Sequence, residues 1–378
     1  MAKAHGANIP GSGKTQKTTE DMHVLVRTLE AWGIAVADGH GGLDGRKAAE
    51  FTTGLFNDWM IYHTHQFSMW TEAEWKIKMD DLFHYIHDAF RRQLQYDNKG
   101  SYIDANGVVR KATKTPYGWH EHALHGGTTF SCAVIFTNQQ GQKILHTAHV
   151  GDSEIMLLTK NKLTGVVVHE ILSEDHSPMS LAEYKRLLSF PDGLQLCYKQ
   201  RVPGSRGVYH YPRIFKPVPP GTSIEQIDQA GDELYDEELK RAADNLRTAN
   251  THNLMPSTVS YDPSTYAKSP HFAQDPCEIG MTRAIGDYYG HPLGLSATPS
   301  QTHTVLDDEI NDHVIVVASD GVWDTWLRVD FANFLMNHLT THNFVETIDA
   351  TTAETLRRTH ANFGASNFDD ISLVGLHI

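Results

Sequence analysis

Three aspartates stand at the same kind of place in this sequence. Asp38 follows Ile34-Ala35-Val36-Ala37, Asp152 follows Thr147-Ala148-His149-Val150-Gly151, and Asp320 follows Val314-Ile315-Val316-Val317-Ala318-Ser319. Each closes an apolar run that reads as a buried strand, and each adjoins a glycine that permits a sharp turn: Gly39, Gly151 or Gly321. Glu20-Asp21 before Val24-Leu25-Val26, and Asp369-Asp370 before Ile371-Ser372-Leu373, add two more acidic sites on strand termini. One Asp-Gly pair is an ordinary turn former, but a whole set at strand ends asks for another cause. If those ends converge on one sheet edge, each close pair of carboxylates repels by about 4 kcal/mol at an effective dielectric near 20. Divalent cations relieve that repulsion, and all-oxygen ligation favours magnesium, manganese or calcium over zinc or copper.

The elements that must carry these acids read as short strands joined by short turns. Thr129 to Phe136, Ile144 to Val150, Ile155 to Leu158 and Val166 to Leu172 are linked through Asn138-Gln139-Gln140-Gly141 and Lys160-Asn161-Lys162-Leu163-Thr164-Gly165, the pattern of antiparallel hairpins rather than βαβ crossovers. Capping boxes at Thr71-x-x-Glu74 and Ser180-x-x-Glu183 open helical segments, the first running to about Gln95. Two more helices are expected at about 329–340 and 344–361, between a strand at 313–318 and a last strand at 371–376. The fold class expected is α+β: an antiparallel β-sandwich with helices on both outer faces. Prolines break up residues 189–276, which read as an inserted flap or lid with one acidic helix at about 232–248, inside a single domain spanning 1–378.

Composition narrows the partners. At 40% hydrophobic and 21% charged residues the chain must bury a core. Its formal charge of -14 offers no basic footprint to nucleic acid or an anionic membrane, and neither is expected as a partner. Cys132, Cys197 and Cys277 are odd in number and far apart, which suits a reducing compartment better than a disulfide framework. There is no signal-like apolar core near Met1, no glycine at position 2 for myristoylation and no membrane-length apolar stretch, so a soluble monomer of the cytoplasm or nucleus is the expectation.

A series of motifs gives a more specific reading. Asp38-Gly39-His40-Gly41-Gly42, Gly126-Gly127-Thr128-Thr129, Val150-Gly151-Asp152-Ser153, Glu174-Asp175-His176-Ser177-Pro178, Thr282-Arg283-Ala284-Ile285-Gly286-Asp287, Ser319-Asp320-Gly321-Val322-Trp323-Asp324 and Asp369-Asp370-Ile371-Ser372 follow one another along the chain. In kind and order the series resembles the motifs of the protein phosphatase 2C family, the metal-dependent serine/threonine phosphatases, from about residue 20 to 374. The resemblance implies two magnesium or manganese ions bridged by Asp38. Glu20 and the Gly39 carbonyl would complete one shell and Asp320 and Asp369 the other, Asp152 would serve a weaker third ion, and Asp287 would lie near that edge. It implies hydrolysis of phosphoserine and phosphothreonine in proteins by a metal-activated water, with Asp38 and His40 catalytic and His40 protonating the leaving alkoxide. On this reading Gly39 turns the chain so that its carbonyl can ligate, and Gly41-Gly42 lets it exit into a helix near Asp44. The alternative is an inactive relative that binds phosphoproteins or a regulatory partner.

Three positions depart from the family pattern. Gln16 stands where the family carries a phosphate-gripping arginine, which leaves Lys17, a looser point charge, as the candidate phosphate holder. Glu154 replaces the basic residue after Gly-Asp-Ser, and Asp370 replaces an asparagine. Asp370 is then either a solvated neighbour or, with a register shift, a ligand in place of Asp369. Gly11-Ser12-Gly13-Lys14-Thr15 imitates a P-loop, but Asn8 stands where the first glycine belongs and residues 1–9 show no strand pattern. His120-Glu121-His122 and His125 read as an exposed polar loop. Cys277 and Arg283 have the spacing of a cysteine-dependent tyrosine phosphatase, yet Glu278 beside the thiol would disfavour the thiolate. The prediction is that Cys277→Ser leaves phosphatase activity within about twofold of wild type; its abolition would overturn the metal-based reading.

Overall fold

A computed structural model describes residues 2–11, 19–116, 118–190, 195–201, 209–210, 213–219, 222–234, 254–259, 278–365 and 368–378. Ten strands make the sandwich: β1 (Lys3–Ile9), β2 (Met22–Arg27), β3 (Ala31–Ala37), β4 (Phe130–Thr137), β5 (Lys143–Val150), β6 (Glu154–Asn161), β7 (Val167–Ile171), β8 (Ser300–Leu306), β9 (Asn311–Ala318) and β10 (Ile371–His377). One sheet runs β1-β10-β9-β6-β7 and the other β8-β5-β4-β3-β2. Every pairing within them is antiparallel.

The strands read as continuous apolar runs because both of their faces are covered. Ile34, Val36, Ala133, Ile135 and Leu145 of one sheet meet Ile155, Leu157, Ile315, Val317 and Val374 of the other in the layer between them. The intervening residues point outward into helices. Ala35, Ala37, Cys132 and Val134 pack with Phe56 and Met60 of α1 (Leu43–His63) and with Trp75, Leu82, Phe83 and Ile86 of α2 (Glu72–Asp97). On the far side Met156, Val314, Val316 and Leu373 pack with Phe331 and Leu335 of α3 (Arg328–Leu339) and with Phe344 and Ile348 of α4 (Phe344–Phe363). At roughly 1.5–3 kcal/mol for each large apolar side chain buried, these layers hold the strand registers in place. The Thr71 capping box opens α2, and Asn343 with Glu346 does the same for α4.

Several local expectations are corrected. Residues 3–9 do form a strand, paired with 371–377, so an absent strand is no argument against the P-loop likeness; Asn8 in place of its glycine still is. His120 and His122 lie on an exposed edge strand, Gly118–Ala123, rather than in a loop, in a three-stranded sheet with Ser101–Ile103 and Val109–Thr115. In the 189–276 segment the described residues include a helix at Ile224–Ala230 that the sequence reading did not anticipate, and a 3-10 turn at Gly231–Leu234; of the helix expected at about 232–248, residues 235–248 lie outside the described residues. Strands Tyr209–His210, Gln195–Arg201, Leu254–Val259 and Glu278–Ile279 form a small antiparallel sheet there. Among the described residues no helix is long and apolar enough to cross a membrane.

Candidate active site

Strand register brings the acids together. Met22 pairs with Ala37 across β2 and β3, which sets Asp21 beside Asp38 just beyond the strand ends. Glu154 pairs with Ala318, and Ala318 with Leu373, which brings the ends bearing Asp152, Asp320 and Asp369 to the same edge of the other sheet. Hydroxyls stitch the two sheets there. The Asp38 N–H donates to Thr129 Oγ1 (3.1 Å), and Thr129 Oγ1 hydrogen-bonds Ser153 Oγ (2.7 Å), next to Asp152. Within one of the sheets, at the ends of β9 and β10, Ser319 N–H donates to the Ser372 carbonyl and Ser372 N–H to Ser319 Oγ, each at 3.0 Å. A one-residue slip in any pair would turn its whole strand over, so the apolar layers fix the acids as well.

The electrostatic cost is visible in the pKa values. Burial, then Asp21, Asp320, Asp369 and Asp152 in turn, raise Asp38 well above the usual carboxylate range. Burial and then Asp369, Asp152, Asp324 and Asp21 do the same to Asp320. Asp152 is raised to about 6, by burial and by Asp175, and Asp21 to about 7, by burial and by Asp370. Asp21 is fully buried, and neither of its carboxylate oxygens has a well-formed hydrogen bond, although Ser319, Ser372 and Asp38 lie close enough to lower its pKa. The Asp320 Oδ1 is likewise buried and unpartnered.

His40 lies beside this group. The pair Gly39–His40 continues from Asp38 and is hydrogen-bonded to Gly127–Thr128. The His40 Nε2 faces Asp287 Oδ2 at 2.5 Å, and its Nδ1 is buried without a partner. Burial alone would lower the His40 pKa, but the charge and hydrogen bond of Asp287, with Asp152 and Glu20 behind them, raise it. A cavity of about 300 Å³ opens at this point, lined by His40, Gly41, His125, Gly126, Ile279, Gly280, Met281, Asp287 and Tyr289. Gly41 (φ 97°) and Gly42 (φ 74°) make the turn into α1. Gly39 does not turn the chain: its place requires glycine because an added Cβ would lie 2.5 Å from the Gly45 carbonyl.

The other candidate residues are placed as follows. Glu20 accepts the Gly42 N–H (3.2 Å) at the start of α1. Asp369 is exposed and acts on Asp38 and Asp320, whereas Asp370 is buried and accepts the N–H groups of Gly11 (2.5 Å) and Glu20 (2.7 Å), so it is not a solvated neighbour. Glu154 pairs with Arg328, which also lies over the Trp323 ring. Arg283 is engaged structurally: its guanidinium donates to the buried Glu183 carboxylate (2.6 Å) and to the Thr298 carbonyl (3.0 Å). Lys14, Gln16, Lys17 and Cys277 lie outside the described residues. Asp21, Asp175 and Asp324 join the charged group without having been singled out as site residues. Asp324 had a signal in its spacing, four residues beyond Asp320, and its N–H donates to the Asp320 carbonyl (2.9 Å).

These side chains suit hard divalent cations on two counts: the donors are all oxygen, and buried oxygens of Asp21 and Asp320 lack partners. Among the described residues no three His, Cys, Asp or Glu side chains are arranged so as to hold a metal ion as they stand. The fit therefore lies in the donor chemistry and its unmet charge.

Comparison with known proteins gives a consistent result. A family model described as Protein phosphatase 2C matches residues 12–205 and 276–367. A probable protein phosphatase 2C 52 of Arabidopsis thaliana is 30% identical over 100 residues, 26% of this chain and 20% of that protein. A probable protein phosphatase 2C 54 of Oryza sativa is 33% identical over 76 residues, 18% of this chain and 21% of that one, so the match spans about a fifth of each relative's length. Among solved structures, a serine-threonine phosphatase 2C from Toxoplasma gondii aligns at TM-score 0.60 with 15% identity, over 99% of this chain and 94% of that one. A C. elegans sex determining protein aligns at 0.57 with 15% identity, over 99% and 64%. At such identities the likeness is one of fold.

The raised acids predict a pH-dependent debt in the metal-free protein. Asp21 titrates near 7 in the fold against an ordinary 3.8, so its contribution favours folding below about pH 4 and is lost as pH rises through 7. The melting temperature without metal should fall between pH 5.5 and 8, and the gain on adding Mg²⁺ should widen over the same range. Asp21→Asn should raise the metal-free melting temperature at pH 8. A metal-induced gain independent of pH would contradict this account.

Proposed function

Because the chain belongs to the protein phosphatase 2C family, we propose that it hydrolyses phosphoserine and phosphothreonine in proteins with bound magnesium or manganese. The observation that carries this is the gathering of Asp21, Asp38, Asp152, Asp320 and Asp369 at one sandwich edge beside His40. Asp38 stands under the influence of four other acids and is the natural shared ligand. Asp320 and Asp369 would hold one ion with it, Glu20 and the Gly39 carbonyl the other, and Asp152 a third. When bound, such ions neutralise charge on the transferred phosphoryl group and activate the attacking water. The protein's own part is to hold the acids in register, keep Asp21 buried behind them, and set His40 where it can give a proton to the departing alkoxide.

Residues 189–276, most of which lie between the two segments of the family match, are read as an insertion within the catalytic domain. Lys17 is the proposed phosphate holder, beside Gln16 where the family has arginine. Lys17→Ala should raise KM for a phosphoserine peptide about tenfold, the worth of one charge-assisted hydrogen bond; an unchanged KM would exclude it. The Gln16 departure is also what favours the second reading, a phosphoprotein binder without activity. Manganese-dependent hydrolysis of p-nitrophenyl phosphate separates the two. The enzyme reading expects turnover that a chelator abolishes, Asp38→Ala lowers by at least about 10³-fold, and thiol blockers leave alone. Absence of turnover with manganese present would leave the binder.

A further inference from the structure

We propose that Asp287 is a positioning residue for His40, rather than a metal ligand, and that it decides which imidazole nitrogen delivers the proton; this rests on the phosphatase reading above. A carboxylate can only accept hydrogen bonds, so the His40 Nε2 that faces Asp287 Oδ2 at 2.5 Å must carry a hydrogen. Nδ1, buried and unpartnered, is then the nitrogen whose proton is free to leave. As the P–O bond breaks, its electron pair goes to the seryl or threonyl oxygen, which takes the Nδ1 proton. The attacking water supplies the new P–O bond and loses its proton to product or solvent, and His40 regains its own from solvent. Throughout, Nε2–H stays on Asp287 and holds the ring in one orientation, the role a carboxylate plays behind a catalytic histidine elsewhere.

The surroundings are built for that contact. Asp287 is fully buried and is the one non-glycine residue at positive φ (46°) among the described residues, a conformation that costs energy unless the neighbours impose it. They do so from several sides. The Asp287 N–H donates to the Gly126 carbonyl (3.1 Å), and its own carbonyl accepts the Gly290 N–H (2.9 Å). His291 Nε2 holds the Gly286 carbonyl (2.9 Å), and the buried Tyr288 hydroxyl donates to the His87 carbonyl on α2 (2.7 Å). Gly127 leaves room for the carboxylate, since a Cβ there would lie 2.0 Å from Asp287 Oδ2.

The test is the dependence on leaving group. A seryl alkoxide needs a proton to depart, whereas p-nitrophenolate leaves without one. Asp287→Asn keeps the shape and tolerates left-handed backbone; should it fold poorly by thermal melting, Asp287→Gly takes its place. With saturating Mg²⁺ or Mn²⁺, the variant should lose about 10²-fold in kcat on a phosphoserine peptide and no more than about fivefold on p-nitrophenyl phosphate. Combined with His40→Ala it should add little further loss. Equal losses on both substrates with weakened manganese saturation would make Asp287 a ligand and overturn the proposal, as would wild-type behaviour on both. A readout independent of turnover is the downfield Nε2–H resonance of His40 in the Mg²⁺-loaded protein, expected in wild type and lost in Asp287→Asn. If wild type hydrolyses neither substrate, the functional reading fails, while that resonance still decides the pairing.

Discussion

Carboxylates gathered at one edge of a sandwich repel one another, and burial removes the water that would otherwise screen them. In this protein Asp38 and Asp320 each answer to four other acids, and Asp21 is shut away beside them with no well-formed hydrogen bond. An isolated chain gains nothing from such an arrangement. It is tolerable where protons or cations neutralise it, and near neutral pH cations are the more effective of the two. The rest of the architecture can be understood as the means of holding this unfavourable group together.

That means is mechanical. Three apolar layers, one between the sheets and one under the helices on each side, lock the registers of antiparallel strands whose ends carry the acids. The Thr129–Ser153 hydrogen bond then ties the two sheets at the edge, and Ser319 with Ser372 ties β9 to β10 within one of them. Asp370, standing where the family has asparagine, fastens the segments at Gly11 and Glu20 to the same edge, which makes a structural device of what looked like a spare charge. Glu154 with Arg328 is a similar case: the charge at 154 is reversed and its partner is a cation 174 residues away.

Much of this was legible in the sequence because the strands bearing Asp38, Asp152 and Asp320 are apolar on both faces, and such runs are conspicuous. What escaped has physical reasons. Lys3–Ile9 is a polar, small-residue segment that becomes a strand only through its pairing with the last one, and Ser300–Leu306 is too polar to announce itself. Glu20 and Asp21 are neighbours at the bend before β2, and their division into a half-exposed acceptor at the start of α1 and a buried acid could be seen only in the fold. The partnership of His40 and Asp287 joins positions 247 residues apart through a backbone conformation that sequence does not disclose.

The site thus has two parts with different work: an acid group whose charge calls for cations, and a histidine held by a buried aspartate beside them. Whether that acid group binds cations is decided by diffraction from crystals soaked in manganese, recorded at the manganese absorption edge. At least two ions are expected at the sandwich edge sharing Asp38, one also reached by Asp320 and Asp369. Manganese bound elsewhere, or at that edge without Asp38, would contradict it.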